Sequence, residues 1–419
     1  MSELALPPSW RVQPLGAVCQ VVSGATPKTA VSENWGGDVP WLTPDDLSKN
    51  RSKVVAGGAR FLTEVGYGSC STRLVPPGSV LFTSRAPIGY VAIAGREICT
   101  NQGFKSAVPG NDIGSEFLYY QLQFLTPEIR SRASGTTFLE INSKGFAATK
   151  VSIAPLAEQQ RIVEILEEQF SRLDAAVASI RTVREKVTAF RRSLLQAAFS
   201  GELTGGIEGW RDVTLSEVCE YVRGVTYGKS DAIDKPTEGF LPLLRATNIY
   251  DDCLALSDFV FVAVEKVKPV QMLRGGDLVM AVSSGSIQVV GKSAPTPEGF
   301  MGTFGAFCAV LRPTQGTNHQ YLNFFISSPK VREDWSAAAR GTNINNLKRE
   351  PVLGTVMPLP PLAEQRRIVE ILEEQFSRLD AALIVTNQLE ARIAAARRSL
   401  LHAAFSGTLT AQWRETYHG

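Results

Sequence analysis

The sequence predicts an α+β fold in which two globular domains are separated by two long helices, as a pseudo-two-fold tandem repeat. Three observations support it. A helical segment of about 45 residues occurs twice at a constant offset of 206 residues. Each copy follows a segment of about 150 residues in which short apolar runs alternate with Gly and Pro, a pattern typical of β-strands and turns. At 419 residues the chain is also too long for one ordinary core, so that two or three domains are expected.

The repeat divides the chain into four segments. They are a first globular domain over 1–154, a helical spacer over 155–204, a second globular domain over 205–360, and a second helical spacer with a tail over 361–419.

The two globular segments share weak similarity, which predicts a common fold. Trp10-Arg11 corresponds to Trp210-Arg211, and the run from Pro77 to Phe82 corresponds to the run from Gly275 to Met280. In each domain β runs such as SVLFTS and DLVMAV are followed by one amphipathic helix, FLYYQLQFL or QYLNFFISS. The pattern predicts a compact α+β domain but not its strand order.

Each helical segment has the start and stop signals of one uninterrupted helix. It opens with Pro155 or Pro361 and continues without Pro or Gly to Gly201 or Gly407. At 1.5 Å per residue such a helix is roughly 66 Å long.

Apolar residues recur at heptad spacing along both helices, which predicts that the helices pack against each other. The first helix has Val163, Leu166, Phe170, Leu173, Val177, Ile180, Val187 and Leu194 in these rows, and the second has Val369, Leu372, Phe376, Leu379, Leu383, Thr386, Ile393 and Leu400.

The flanks of the two helices are nearly identical, whereas their centres differ. Of the first 23 positions 21 are identical, and so are 12 of the last 14, against one of the 13 between. A generic coiled coil does not explain this difference, so we interpret the identical flanks as a surface on which one kind of partner docks twice. A solvated helix face is the alternative. The candidate docking residues are charged positions outside the main heptad rows: Arg161, Glu164, Glu167, Glu168, Arg172, Arg367, Glu370, Glu373, Glu374 and Arg378.

No catalytic constellation is present in the sequence. The three histidines, His319, His402 and His418, all lie in the second half, which excludes a histidine mechanism common to both halves. The stretch from Gly285 to Ser293 resembles a phosphate-binding loop, but its spacing is one residue too long, so we interpret it as a hairpin turn. The six cysteines are scattered without metal-ligand spacing, which predicts reduced, mostly buried thiols and no metal site.

The chain has no signal for export or membrane insertion. Its start, MSELALPPSW, lacks a basic region followed by an apolar run, and no apolar stretch approaches the thickness of a bilayer. We therefore expect a cytoplasmic protein.

Polar side chains suited to base edges and phosphates are grouped in both globular domains. The net charge of +2 does not by itself indicate a nucleic acid partner, so that the basic residues must cluster in space if one is bound. The candidates in the first domain are Lys28, Thr83, Ser84, Arg85, Asn101, Gln102, Lys105, Thr136, Thr137, Asn142 and Lys144. Those in the second are Arg223, Thr226, Tyr227, Lys229, Ser283, Ser284, Gln288, Lys292, Arg340, Thr342, Asn343, Asn345 and Lys348.

The doubled block PLAEQ(Q/R)RIVEILEEQF, each time after a variable domain, resembles the specificity subunit of type I restriction-modification systems over the whole chain. The resemblance implies two target-recognition domains, each reading one half of an asymmetric bipartite sequence in double-stranded DNA. It implies that the two helices pack antiparallel as a spacer. It further implies two methylation subunits, which dock on the spacer and bring S-adenosylmethionine and adenine N6 chemistry, and restriction subunits that join them. This chain would bind no cofactor and would not be catalytic.

Two other classes of protein remain open. An autonomous methyltransferase needs a glycine-rich cofactor loop and an Asn/Asp-Pro-Pro-aromatic loop, and the sequence has neither, which argues against this class. S-adenosylmethionine binding by the isolated chain would identify such an enzyme. A coiled-coil adaptor that joins two binding modules would not bind DNA, so that salt-dependent binding to duplex DNA excludes it.

Overall fold

The computed structural model of the chain describes residues 6–49, 52–135, 138–250, 253–341 and 344–417. The chain forms two compact units. Unit 1 contains Met1–Ile180 and Gln388–Gly419, and unit 2 contains Arg181–Asn387. The boundaries between the units therefore fall within the two long helices, and each unit combines one globular domain with part of both helices.

In the residues that the structure describes, the globular domain of unit 1 contains short strands and five α-helices, as expected for an α+β fold. Strands β1 to β10 are, in order, Arg11–Pro14, Cys19–Ser23, Trp35–Leu42, Val54–Val55, Arg60–Leu62, Val80–Thr83, Val91–Ala94, Cys99–Thr100, Phe104–Pro109 and Lys150–Ile153. Helices α1 to α5 are Leu15–Val18, Pro44–Lys49, Glu64–Gly68, Ser115–Ser131 and Ser143–Ala147.

The strands of this domain form a five-stranded sheet, a three-stranded sheet and a separate pair. The orders are β2-β9-β6-β7-β4, β5-β3-β8 and β1-β10. Pairing is antiparallel except between β4 and β7 and between β3 and β8. The middle strand β6 is wholly buried, because the apolar face of α4 packs on one side of the sheet and residues of β3, α2 and β4 pack on the other. Phe82 of β6 stacks on Phe146 of α5 with ring centroids 4.9 Å apart.

The globular domain of unit 2 is also α+β, but it has more strands, and many of them have only two residues. Helix α6 is Leu156–Phe199, and strands β11 to β24 follow at Arg211–Thr214, Cys219–Arg223, Ala232–Ile233, Phe240–Leu244, Ile249–Tyr250, Cys253–Leu254, Val260–Ala263, Leu278–Ala281, Ser283–Ser284, Ser293–Pro295, Thr303–Phe304, Cys308–Pro313, Asn345–Asn346 and Val356–Leu359. Helices α7 to α10 of this domain are Leu215–Val218, His319–Ile326, Pro329–Ala339 and Arg349–Leu353. The second long helix, α11, is Leu362–Phe405, and α12, at Ala411–Tyr417, belongs to unit 1.

The strands of unit 2 form two four-stranded sheets and three pairs. The sheet orders are β12-β22-β18-β20 and β13-β17-β14-β21, and the pairs are β11-β24, β15-β16 and β19-β23. One amphipathic helix was expected after the strands of each domain. The first domain has it as α4 and the second as α8, and in the second domain a further helix, α9, begins at Pro329 directly after α8.

The two long helices match the prediction closely. Both α6 and α11 have 44 residues, and the glycines that follow them, Gly201 and Gly407, have φ of 83° and 78°, a conformation that ends a helix. Most of the predicted heptad positions are buried and the others are half-buried. The buried Thr386 fits its apolar row because its hydroxyl donates to the carbonyl of Leu383, which satisfies the polar group.

Within each unit the two helices run antiparallel. In unit 2 the guanidinium of Arg184 donates to Asn387 at 2.7 Å and that of Arg191 donates to Asp380 at 2.5 Å, so that one residue number rises as the other falls. In unit 1 the equivalent pair is Arg397 with Asp174. The sequence resemblance implied this direction, and the contacts confirm it.

The thiols are free, and four of the six are buried. Burial raises the pKa of Cys19 and of Cys219 to about 12, so these side chains stay protonated and behave as small apolar groups. No helix in the described part of the chain is long and apolar enough to span a bilayer.

Candidate nucleic-acid interface

The strand pairings identify equivalent positions in the two domains. Cys19 pairs with Pro109 as Cys219 pairs with Pro313. At the end of the central strand, the amide of Ser84 donates to Gly103 at 2.7 Å. In unit 2 the amide of Val282 donates to Phe307 at 2.9 Å. Loops that are distant in sequence therefore meet at the same end of the main sheet in each domain.

In unit 1 four loops that hold predicted residues meet at this end. Gly24 leaves no room for a Cβ against the carbonyls of residues 100 and 101, and its neighbour Thr26 donates to the side chain of Gln102. The amide of Ile141 donates to the carbonyl of Ser84 at 3.0 Å, which brings the loop before α5 to the same place. The structure thus brings together most of the residues that the sequence proposed for this domain.

Three of the residues proposed for contact with DNA, Thr83, Ser84 and Lys105, are buried. The hydroxyl of Thr83 donates to the carbonyl of Pro87 and accepts from the amides of Gly89 and Tyr90, so it holds the following turn. Ser84 is also fully buried. Thr83 ends β6 and Ser84 follows it, and both faces of this strand are covered. The polar character of the two side chains does not show from the sequence that they are buried.

Three charged side chains, Arg85, Lys105 and Glu140, lie at this same end of the main sheet. The guanidinium of Arg85 lies 3.7 Å from the carboxylate of Glu140, and the ammonium of Lys105 lies 3.4 Å from it. The side chain of Lys105 is only 8% exposed, so Lys105 supports Glu140 from inside and does not present its charge to a ligand. Lys28 and Lys144, on other loops of this domain, are exposed.

Two predicted amides have local structural roles. Asn142 caps α5 by accepting from the amide of Gly145 at 2.8 Å, and Asn101 accepts from the amide of Gly103 at 2.8 Å. Both side-chain oxygens therefore accept hydrogen bonds from the protein's own backbone. Asn142 is nevertheless exposed.

In unit 2 the corresponding loops enclose a cleft of about 790 Å³. Predicted residues that line it are Thr226, Tyr227, Ser283 and Ser284. The lining residues that the sequence reasoning missed include Arg245, Phe307 and Ile344. Phe307 and Ile344 are 65% and 55% exposed, and only the fold distinguishes them from ordinary core residues. Arg245 directly follows the apolar strand β14. A polar residue at the end of a strand is a signal that the sequence analysis could have used to find it.

The other predicted residues of unit 2 are dispersed. Arg223, Gln288, Arg340 and Lys348 are exposed, and Lys292 is half-buried. The side-chain amide of Asn345 donates to the carbonyls of Ser284 and Gly285 at 3.3 and 3.2 Å, and so joins two loops. The stretch after Gly285 is a turn between strands and no helix follows it, which confirms the hairpin interpretation. Thr136, Thr137, Thr342 and Asn343 lie outside the described residues, as does the side chain of Lys229.

All ten charged residues proposed for docking are exposed on the long helices. Neighbouring members form ion pairs along each helix, such as Arg172 with Glu168 and Arg378 with Glu374, both at 2.6 Å. Glu167 differs because it also pairs with Lys53 of the globular domain. Burial lowers the pKa of Lys53, but its hydrogen bonds to Glu116 and Glu167 outweigh this effect and raise it, so the ammonium stays charged.

The identity of the flanks also has an internal cause. In unit 1 the buried Glu158 accepts from Trp10 at 2.9 Å and from Thr410 at 2.6 Å, and it pairs with Arg414. In unit 2 its counterpart Glu364 accepts from Thr204 at 2.7 Å. These residues fasten each helix to its own unit, so docking of a partner is not the only reason for their identity.

A family model for the type I restriction modification DNA specificity domain matches the chain twice, over residues 7–188 and 207–394. Among curated proteins, the chain is 29% identical over 269 residues to the type I restriction enzyme MjaIX specificity subunit of Methanocaldococcus jannaschii, covering 61% of this chain and 62% of that protein. It is 38% identical over 210 residues to the StySPI specificity subunit of Salmonella potsdam, covering 50% and 45%. The chain thus spans about half the length of these first curated relatives. An alignment with the EcoBI specificity subunit of Escherichia coli, at 23% identity, covers 98% of this chain and 88% of that one.

Solved structures show the same fold. A chain from a structure that describes complex assembly and conformational transition of the type I R-M system aligns with a TM-score of 0.79 at 21% identity, over 96% of this chain and 98% of that one. The HsdS subunit from Thermoanaerobacter tengcongensis aligns with a TM-score of 0.59 at 21% identity, over 97% and 99%.

Proposed function

This chain belongs to the family of type I restriction-modification DNA specificity subunits, and from that membership we propose how it reads DNA and which subunits it assembles with. Subunits of this family recognise the DNA target and are not catalytic. The observation that carries the proposal is the match of the specificity-domain model to both halves of the chain, each with its own globular domain and long helix.

The target that we propose is bipartite and asymmetric in double-stranded DNA. Each globular domain gathers loops at one end of its main sheet, and the two sets of loops differ in chemistry. Charged residues such as Arg85 and Glu140 lie there in unit 1, whereas Ser283, Tyr227 and Phe307 line a cleft in unit 2. Two readers with different side chains fit two different half-sites.

The partners that we propose are two methylation subunits, which dock on the long helices, and restriction subunits that join through them. The repeated exposed charges of the helix flanks support two equivalent docking sites. S-adenosylmethionine and the adenine N6 transfer chemistry would come with the methylation subunits, whereas this chain would hold no cofactor. A complex that acts on DNA in this way works in the cytoplasm, which is the location we propose.

The alternative is a coiled-coil adaptor that joins two binding modules without reading DNA. One experiment separates the two: the chain with its methylation subunit is mixed with duplexes from a randomised pool, and bound sequences are selected at rising salt. We expect a split consensus sequence and binding that weakens as salt increases. Retention of the complex without any selected sequence would favour the adaptor.

A second experiment tests the absence of catalysis. The purified chain alone should neither bind S-adenosylmethionine nor methylate or cut DNA, and methylation should begin when the methylation subunit is added. Turnover by the chain alone would contradict the proposal.

A further inference from the structure

A short backbone bridge occurs at the same place in both domains, directly after the central strand of the main sheet. In unit 1 it joins Arg85 and Glu140, and in unit 2 the pair β19-β23 joins Ser283 and Asn346. The equivalence follows from the hydrogen bonds beside it. The amide of Ile141 donates to residue 84 at 3.0 Å, and that of Leu347 donates to residue 282 at 2.8 Å.

In unit 1 this bridge carries opposite charges that are only loosely paired. Arg85 and Glu140 are 35% and 36% exposed, and their closest charged atoms are 3.7 Å apart, beyond a hydrogen bond. Lys105, buried behind them, offsets the charge of Glu140 at 3.4 Å. Among the described residues no hydrogen bond holds the guanidinium of Arg85, so its donors are available to a ligand.

In unit 2 the equivalent positions are uncharged. Ser283 is half-buried and Asn346 is exposed, and the position of Lys105 is taken by Ala309. The neighbouring Asn345 uses its amide to hold residues 284 and 285, which fixes the bridge and leaves Asn346 at the surface.

We propose that this bridge is a specificity-determining position in both domains: Arg85 and Glu140 read a G·C pair, and Ser283 and Asn346 read an A·T pair. The inference rests on the proposed function and names the bases that each domain prefers at one position. An arginine fork matches guanine O6 and N7, and a glutamate accepts from cytosine N4, so the two side chains suit the two bases of one pair. An asparagine matches adenine N6 and N7 in the same way.

Contact of Arg85 with a phosphate is the competing assignment. A carboxylate 3.7 Å from the guanidinium disfavours it, because a phosphate bound there would lie beside a second anion. The exposed Lys28 and Lys144 have no such neighbour among the described residues and are better suited to the backbone.

The test uses the complex of the full chain with its methylation subunit, with adenine-N6 methylation mapped on genomic DNA and binding measured on duplexes with single base-pair changes. The variants are Arg85→Lys, which keeps the charge but loses the fork, and a triple variant Arg85→Ser, Lys105→Ala, Glu140→Asn, which installs the residues of the second domain. Asn346→Ala probes the second half-site. Arg96→Ala is the matched control, since Arg96 is exposed at the opposite end of β7.

We expect Arg85→Lys to lose roughly 5- to 150-fold of its preference for G·C at one position of the first half-site, the range of a good bidentate contact. The triple variant should change that position to A·T and leave the second half-site intact, and Asn346→Ala should relax one A·T position there. Arg96→Ala should change nothing.

In the triple variant, which removes the charge of Arg85, a uniform loss of affinity over all duplexes with a smaller salt dependence would assign Arg85 to a phosphate and overturn the inference. So would an unchanged consensus sequence in every variant, even though the wild-type complex selects a sequence. If the wild-type complex selects no sequence at all, the proposed function itself fails, and the two failures are thereby distinguished.

Discussion

Gln159 and Gln365 lie at equivalent positions in the first turns of the long helices, and each makes three hydrogen bonds to backbone groups. Gln159 donates to the carbonyls of Asp112 and Ala154, both at 2.8 Å, and accepts from the amide of Gly114 at 2.9 Å. Gln365 repeats this pattern with residues 316, 360 and 318. A single buried amide thus joins each helix to the loop before α4 or α8.

The first prediction follows from this bonding. Gln159→Ala leaves buried backbone groups without partners, which should cost about 1–3 kcal/mol and lower the midpoint of urea unfolding. Gln160→Ala is the matched control, because Gln160 is the adjacent residue of the same type and is exposed. Equal midpoints for the two variants would show that the buried amide contributes nothing.

At the same scale, the sequence predicts the chemical type of the site residues better than their exposure. Arg85 was found as a polar residue after a strand, and it is at the surface. Thr83 was selected on the same ground but lies inside, because β6 is covered on both faces, so that the usual alternation of exposed and buried residues does not apply. Phe307 could not be predicted as a lining residue of the cleft, because the sequence does not distinguish an exposed Phe from a buried one.

At the scale of the element, the helices were the most predictable part of the chain. Pro and Gly mark their ends within two residues, because their effects on helix ends are local and need no knowledge of the fold. The tail shows the limit of such reasoning. Trp413-Arg414 resembles the Trp210-Arg211 that starts a repeat, yet it lies in α12, and Arg414 pairs with the buried Glu158.

The second prediction concerns the docking face of α11. Reversing the charges of Glu370, Glu373 and Glu374 to Lys should leave the fold intact, because all three are exposed, and should remove one of two methylation subunits. The second helix is the better choice for this test, since reversal of Glu167 in the first would also break its pair with Lys53.

The control for this prediction exchanges Arg181 and Glu185, an exposed ion pair at 3.1 Å in the variable centre of α6. The exchange leaves the net charge and the identical flanks unaltered, so two methylation subunits should stay bound. Native mass spectrometry of the assembled complex counts them. Two bound subunits in the charge-reversed variant would mean that the flank charges form only a solvated surface.

At the scale of the whole molecule, the third prediction is that the half-sites are read independently. Exchange of residues 1–154 for the equivalent domain of another family member should change one half of the methylated sequence and preserve the other, because each domain belongs to a separate compact unit. The incoming domain must keep an aromatic surface for Phe405, which packs on Phe117 and Phe124 with centroids 5.3 and 5.4 Å away. If both halves of the mapped target changed together, the domains would not be independent readers.

The last prediction treats the helices as a ruler between the half-sites. A helix of roughly 66 Å limits their separation to roughly 20 base pairs at ~3.4 Å each, and the true gap should be shorter because the domains have width. Four residues inserted near Thr182 lengthen α6 by about 6 Å and rotate the heptads that follow by only ~40°, which a coiled coil can absorb. The paired insertion at Gln388 lengthens α11 at the equivalent place.

Both insertion sites lie at the boundary between the units, so the contacts inside each unit are kept, including Arg191 with Asp380 and Arg397 with Asp174. The doubly inserted chain should therefore methylate the same two half-sites with a gap that is longer by one or at most two base pairs, and by less if the helices are inclined to the DNA axis. An insertion of four residues in the loop at Gly205 and Gly206 is the control, because it adds chain without lengthening a helix. A gap that stays the same in the helix variant, or that grows equally in the loop variant, would assign the spacing to flexible segments and not to the helices.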